Sequence, residues 1–170
     1  MNQATGNRVS FPDSPAYGKS VESYWSIQAR QRPNCIFIPA SREDVSLAVK
    51  TLAKNGCKFA VRGGGHTPQA DSGANIVDGT TIDLSAMNSV QISDDKKTVA
   101  IGGGARWIDA YEYLDQRGLS TTGGRIADVG VGGLTTGGGN SFFAARYGFA
   151  CDNVKEYEVS IPTQIRRPPS

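Results

Sequence analysis

The sequence predicts an α+β domain in which small mixed sheets carry flanking helices. Three observations lead there. A compact apolar run, an amphipathic segment and a second apolar run follow one another over residues 35–62. Two short apolar stretches flank Asp94-Asp95-Lys96-Lys97, as in a hairpin. The chain also holds 21 glycines, gathered in clusters, where they serve special backbone conformations rather than regular structure.

Residues 1–32 read as a lead-in. Within it, residues 21–31 are expected to form a short helix with Tyr24, Trp25 and Ile27 on its apolar side, ended by Pro33. Cys35-Ile36-Phe37-Ile38, bounded by Pro33 and Pro39, has the profile of a buried strand. Ser41 follows as a helix N-cap with Asp44 in the first turn. Val45, Ala48, Val49 and Leu52 recur at three- and four-residue spacing and give that helix one apolar face, and Asn55-Gly56 stops it. Lys58-Phe59-Ala60-Val61-Arg62 is a second strand, which a right-handed parallel crossover joins to the first.

Thr80-Thr81-Ile82-Asp83-Leu84 is a further strand. Val90-Gln91-Ile92 and Thr98-Val99-Ala100-Ile101 form the hairpin, closed by Gly102-Gly103-Gly104. Residues 107–117 read as a second amphipathic helix with Trp107, Ile108, Tyr111 and Leu114 inward and Gly118 as its C-cap. Over residues 123–139 eight of seventeen positions are glycine, a density that predicts loop packed closely on something else. Phe142, Phe143, Tyr147 and Phe149 then supply an apolar anchor.

Net charge is +2, from 18 basic and 16 acidic residues, with no basic stripe, so a nucleic-acid partner is not expected. No run approaches the roughly 18 apolar residues of a membrane span. Residues 1–18 are polar, carry Pro12 and Pro15, and lack a signal-peptide core. The three cysteines, Cys35, Cys57 and Cys151, are too widely spaced for a zinc knuckle. They read as buried small hydrophobes, with a disulfide between two of them as the alternative in an oxidising compartment. No metal site is expected.

Two segments carry the chemistry. The first is Arg62-Gly63-Gly64-Gly65-His66-Thr67, directly after a strand. Its three glycines remove every side chain, so backbone N–H groups can approach an anion and form a nest for a pyrophosphate. Arg62 either adds a charge there or serves the strand structurally. The residues after His66 do not continue the dinucleotide fingerprint that opens a helix, which argues against a nicotinamide crossover. His66 is the one histidine of the chain. A loop histidine satisfied by backbone and a nucleophilic imidazole are equally open readings. The second segment is Gly130-Val131-Gly132-Gly133-Leu134-Thr135-Thr136-Gly137-Gly138-Gly139, whose two glycine clusters suit a flat ligand lying on bare backbone. Thr135, Thr136 and Ser141 offer hydroxyls to it. A flexible linker would not interleave Val129, Val131 and Leu134.

Together these segments resemble the FAD-binding domain of the vanillyl-alcohol oxidase and p-cresol methylhydroxylase family, in its berberine-bridge-enzyme-like branch of fungal FAD-linked oxidoreductases. The resemblance runs in order through Pro33-Asn34-Cys35-Ile36, Arg62 to Pro68, Thr81-Ile82-Asp83-Leu84, Gly102-Gly103-Gly104-Ala105-Arg106-Trp107, the second glycine segment, Arg146-Tyr147-Gly148-Phe149 and Cys151-Asp152-Asn153-Val154. It implies that the chain holds the N-terminal part of a two-subdomain flavin domain over residues 33–160. Residues 62–67 would be the pyrophosphate loop, and residues 130–139 would line the flavin ring and ribityl chain. Asn153 and Val154 would lie near the cofactor.

His66 matches the histidine that this family attaches to the flavin 8α-methyl. A second, cysteinyl attachment found in many members falls on Ile126 here, so attachment through His66 alone is expected. Such a bond would raise the flavin potential and prevent its loss, while the hydride chemistry stays with the cofactor.

The resemblance also implies oxidation of a small organic substrate, with electrons passed to oxygen. Family members are often secreted and are several hundred residues long, with a substrate domain that this chain does not reach. Residues 161–170 read as an aberrant polar tail, and a truncated product of altered splicing, frameshift or gene shortening is expected. No residue can be assigned as catalytic. Asp83, Asp128 and Asp152 read as turn or structural carboxylates. A non-catalytic flavin-binding fragment is the alternative to an oxidase, and an unfolded product the third possibility.

Overall fold

The computed structural model describes residues 8–70 and 72–161. Four short strands build the main sheet in the order β1-β2-β4-β3. They are β1 (Val9–Ser10), β2 (Cys35–Phe37), β3 (Phe59–Arg62) and β4 (Thr80–Asp83). β4 lies parallel to both β2 and β3, and β1 pairs antiparallel with β2. The crossover helix therefore links two parallel strands that leave room for β4 between them. That central place suits β4, whose Thr81, Ile82 and Asp83 are all buried.

Alternation along β2 shows how the sheet is covered. Ile36 clusters with Tyr17 and Val21, and Phe37 clusters with Ala48, Val49, Leu52 and Ile82. Successive side chains of a strand point to opposite faces, so one helix covers each face. The first is α1 (Pro15–Glu22) and the second α2 (Arg42–Lys54). α2 begins as predicted. The Ser41 hydroxyl accepts from the Asp44 N–H at 3.2 Å, and the Asp44 carboxylate accepts from the Ser41 N–H at 3.2 Å.

A second layer stands beside the sheet. The predicted hairpin pairs β5 (Val90–Ile92) with β6 (Val99–Ile101). Against it lie α3 (Trp107–Asp115) and α4 (Val131–Thr136), around Ala105, Trp107, Ala110 and Val131. A short α5 (Ala144–Tyr147) and a 3₁₀ turn (Ala150–Asn153) follow.

Several expectations are corrected. The first helix lies at Pro15–Glu22, not at 21–31, because Ser14 caps it and Pro15 sits at its first position. Trp25 and Ile27 are exposed, while Tyr24 is buried. α3 ends at Asp115, and its Ile108 and Tyr111 are only half-buried. The glycine-rich segment holds a helix, α4, because Val131 and Thr135 bury one face of it and packing outweighs the poor helix propensity of Gly132 and Gly133. Phe142, Phe143, Tyr147 and Phe149 are exposed rather than anchored. Cys57 is exposed, and Cys35 and Cys151 are half-buried; all three are free thiols, so none serves as a buried hydrophobe. Of the predicted polar tail, residues 162–170 lie outside the described residues.

Residues 8–32 pack as part of this body. The Tyr17 hydroxyl donates to the Pro33 carbonyl (2.7 Å), the Tyr24 hydroxyl to the Ala74 carbonyl (2.6 Å), and the Asn75 amide to the carbonyls of Ala29 and Gln31. Burial holds the Tyr24 phenol far above the ordinary tyrosine value, against the opposing pull of the Arg62 guanidinium. The unfolded chain therefore ionises first. The stability this group contributes is complete below about pH 10 and is lost as the pH rises through the folded-state value. Urea midpoints are expected to stay level between about pH 8 and 9 and to fall toward about pH 11, less steeply in Tyr24→Phe than in the wild type. An equal slope in both proteins would contradict the assignment to Tyr24.

Candidate functional site: two glycine loops and a stacked histidine

β3 ends at Arg62, whose side chain turns inward and is 3% exposed. One guanidinium nitrogen, Nη1, donates to the Ser20 carbonyl at 2.8 Å and lies 3.4 Å from the Asp83 carboxylate. The other, Nη2, donates to the Ser23 hydroxyl at 2.8 Å. The Ser20 hydroxyl donates to Asp83 at 2.8 Å, and the guanidinium covers the Tyr24 ring at 4.0 Å. Of the two roles left open for Arg62, the structure shows the structural one: a compensated buried charge that ties α1, β3 and β4 together beneath the loop. Asp83 is likewise committed to structure.

The chain then turns through Gly63, Gly64 and Gly65. Gly65 adopts φ +67°, and a Cβ there would lie 2.7 Å from the Arg62 Nε. A side chain is thus excluded both by the left-handed backbone and by the arginine below. Gly64 meets Gly130 backbone to backbone. A Cβ on either residue would run into the main chain of the other. The Gly103 carbonyl packs against both loops, 3.0 Å from a Cβ at Gly63 and 3.1 Å from one at Gly132. Two of the segments singled out in the sequence are therefore brought together, and a third glycine cluster, which closes the hairpin and belongs to the family resemblance, joins them.

Gly130 is held from its other side as well. Trp107 N–H donates to the Val129 carbonyl at 3.0 Å, and Val131 N–H donates to the Ala105 carbonyl at 2.9 Å. Gly130 then caps α4. Within α4 the Thr135 hydroxyl donates to the Val131 carbonyl (2.7 Å) and Thr136 to the Gly132 carbonyl (3.0 Å), so both hydroxyls are spent along the helix. Gly133 and Thr136 are exposed. Gly137 closes the helix, and the carbonyls of Gly138 and Gly139 accept from Cys151 and Ala150. The Asn153 amide donates to the carbonyls of Tyr147 and Phe149, both at 2.9 Å, and so fixes the turn after α5. Val154 follows that turn, half-buried.

His66 lies at the end of the first loop, half-buried, with Thr67 beside it. Its ring stacks on Trp25 with centroids 4.8 Å apart and planes 13° from parallel. Trp25 was placed in the sequence on the apolar face of a helix, and no periodicity signals its contact with residue 66. Among the described residues no N–H of residues 63–66 donates to a protein acceptor. The loop thus offers main-chain donors, a stretch of bare backbone and a free imidazole edge. That set fits an anionic group with a flat, polar-edged ring, as FAD carries. Asp128 accompanies Arg106, and Asp152 accepts from the Phe149 N–H, so neither carboxylate stands apart as a base.

Residues 33–163 match the family described as the FAD binding domain. The FAD-dependent monooxygenase sdcF of Emericella nidulans is 46% identical over 161 residues, covering 94% of this chain and 33% of that protein. Among solved structures, 6-hydroxy-D-nicotine oxidase from Arthrobacter nicotinovorans superposes with a TM-score of 0.78 at 33% identity, over 85% of this chain and 31% of that one. Glucooligosaccharide oxidase from Acremonium strictum, which carries a 6-S-cysteinyl, 8α-N1-histidyl FAD, superposes with a TM-score of 0.72 at 28% identity, over 88% and 32%. The chain spans about a third of the length of the relatives it matches. No helix among the described residues is long and apolar enough to cross a membrane.

The contact between the loops makes two glycines unequal. Gly64→Ala is expected to cost about 1–3 kcal/mol or more, because the added methyl meets fixed backbone. Gly133→Ala, which meets nothing within 4 Å, is expected to be neutral or to stabilise α4 by up to about 1 kcal/mol. Denaturant unfolding of the two variants checks the difference, and equal costs would contradict it.

Proposed function

The chain belongs to the FAD binding domain family, and from that premise we propose that it holds FAD on the paired glycine loops, with His66 as the single covalent anchor. In this reading Gly63, Gly64, Gly65 and Thr67 face the pyrophosphate and Arg62 supports them from below. Gly130, Gly132, Gly133, Thr136, Gly137, Gly138 and Gly139 face the ring and ribityl chain. Asn153 and Val154 secure the far edge. The observation that carries the reading is the main-chain contact of Gly64 with Gly130, which puts both loops on one surface beside the lone histidine.

When bound, the flavin supplies two-electron oxidation chemistry. This chain's residues bind it, orient it, and present one imidazole whose nitrogens are free of protein partners among the described residues. The oxidase and monooxygenase names of the relatives support oxidation of a small organic substrate at an alcohol or amine carbon, with electrons passed to oxygen. Ile126 is exposed at the position that would take a second, cysteinyl attachment, and its side chain has no nucleophile. A second reading, flavin binding without turnover by these 170 residues, is favoured by the commitment of Asp83 to Arg62 and Asp152 to a turn. On either reading the cofactor is the same.

Acid precipitation of the purified protein tests the anchor. Flavin absorbance is expected to stay with the pellet in the wild type and to move to the supernatant in His66→Ala. A wild-type pellet without flavin would contradict the covalent link, and protein without any flavin would contradict the site.

A further inference from the structure

The family match begins at residue 33, yet the ring stacked on the proposed anchor comes from before it. Trp25 is 63% exposed, an unusual placement for the largest apolar side chain, and its neighbours pin it in place. Tyr24 is buried, with its hydroxyl on the Ala74 carbonyl. The Trp25 N–H donates to the Gly65 carbonyl at 3.2 Å. The Ser26 hydroxyl donates to the Pro68 carbonyl at 3.0 Å. Residues 24–26 therefore strap the loop on both sides of His66, and the indole they present lies flat against the imidazole.

We propose that Trp25 is a positioning residue for His66, so that the segment before the matched domain completes the flavin-attachment site. The proposal rests on the reading of His66 as the anchor. Among the described residues the imidazole makes no side-chain hydrogen bond, so the indole stack is the contact that sets its ring plane. Stacking suits this task because the lone pair and the N–H of imidazole lie in the ring plane. An aromatic neighbour can hold one face while leaving both nitrogens open. A hydrogen bond would hold the ring by occupying one of the two atoms.

His66 is the one histidine of the chain, so its Cε1 proton gives a single resolvable proton NMR signal. In the wild type that signal is expected upfield of free histidine, displaced by the indole ring current. In Trp25→Ala it should return to the free position, and in Trp25→Phe it should lie between. Because the indole is exposed, all three proteins are expected to unfold at closely similar urea concentrations.

Attachment would replace the imidazole N–H and one 8α-methyl C–H by an N–C bond, with the two electrons taken up by the flavin and passed to oxygen and the two protons to solvent. On incubation of flavin-free protein with FAD in air, acid-stable flavin should accumulate about 2- to 10-fold more slowly in Trp25→Ala, the range set by the strength of an aromatic pair. Total bound flavin should stay unchanged, and Trp25→Phe should recover most of the rate. A wild-type signal at the free position, or wild-type attachment kinetics in Trp25→Ala, would overturn the proposal. Acid-stable flavin persisting in His66→Ala would instead overturn the anchor. It would remove the attachment role of Trp25 while leaving the NMR evidence for the stack intact.

Discussion

Everything in this protein that bears on a cofactor depends on one close approach: the main chain of Gly64 against the main chain of Gly130. The two residues belong to different layers, one at the end of the parallel sheet and one at the start of a short helix beside the hairpin. A single methyl group on either would push the layers apart. The contact explains why glycine recurs at such distant positions of the chain. It also turns two separate loops into a continuous surface without side chains, against which an extended, flat ligand can lie.

That surface needs a firm base, and Arg62 supplies it. Its guanidinium engages Asp83, Ser20 of α1 and Ser23 at that helix's C-cap, so it links the loop to the helix that precedes the matched domain. A buried ion pair of this kind adds little net stability, because desolvation offsets most of the attraction. Removing one partner is a different matter, since a charge left unpaired in the interior is costly. The charge read in the sequence as available to a phosphate is thus spent one layer below, and the loop relies on N–H groups instead. The same α1 segment carries on into Trp25, so one stretch of chain both braces the loop from beneath and covers the histidine at its end.

Much of this was legible in the sequence, and where it was not there is a physical reason. The N-cap at Ser41 with Asp44 in the first turn, the apolar stripe of α2 and the hairpin are local patterns with local causes, and all three are found in the structure. The order of the sheet is not local: β4 inserts between β2 and β3, which no periodicity can reveal. The helix α4 is hidden from sequence because Gly132 and Gly133 disfavour it locally, while the burial of Val131 and Thr135 that outweighs them is tertiary. The first helix follows the start signal Ser14-Pro15 and not the apolar pattern at residues 24–27. Two of that pattern's three apolar residues, Trp25 and Ile27, lie at the surface. Trp25 instead stacks on His66, an imidazole 41 residues away in the chain, which no local pattern signals. The exposed aromatics that follow α4 were read as an anchor by their composition alone.

The central claim is that the two glycine loops act as one binding surface for FAD. Amide hydrogen exchange measured with and without FAD tests it most directly, since it reports on backbone and needs no turnover. The account predicts slowed exchange in two separate stretches at once, residues 63–67 and residues 130–139, with the sheet strands little changed. Slowing confined to one stretch, or found elsewhere in the chain, would contradict it.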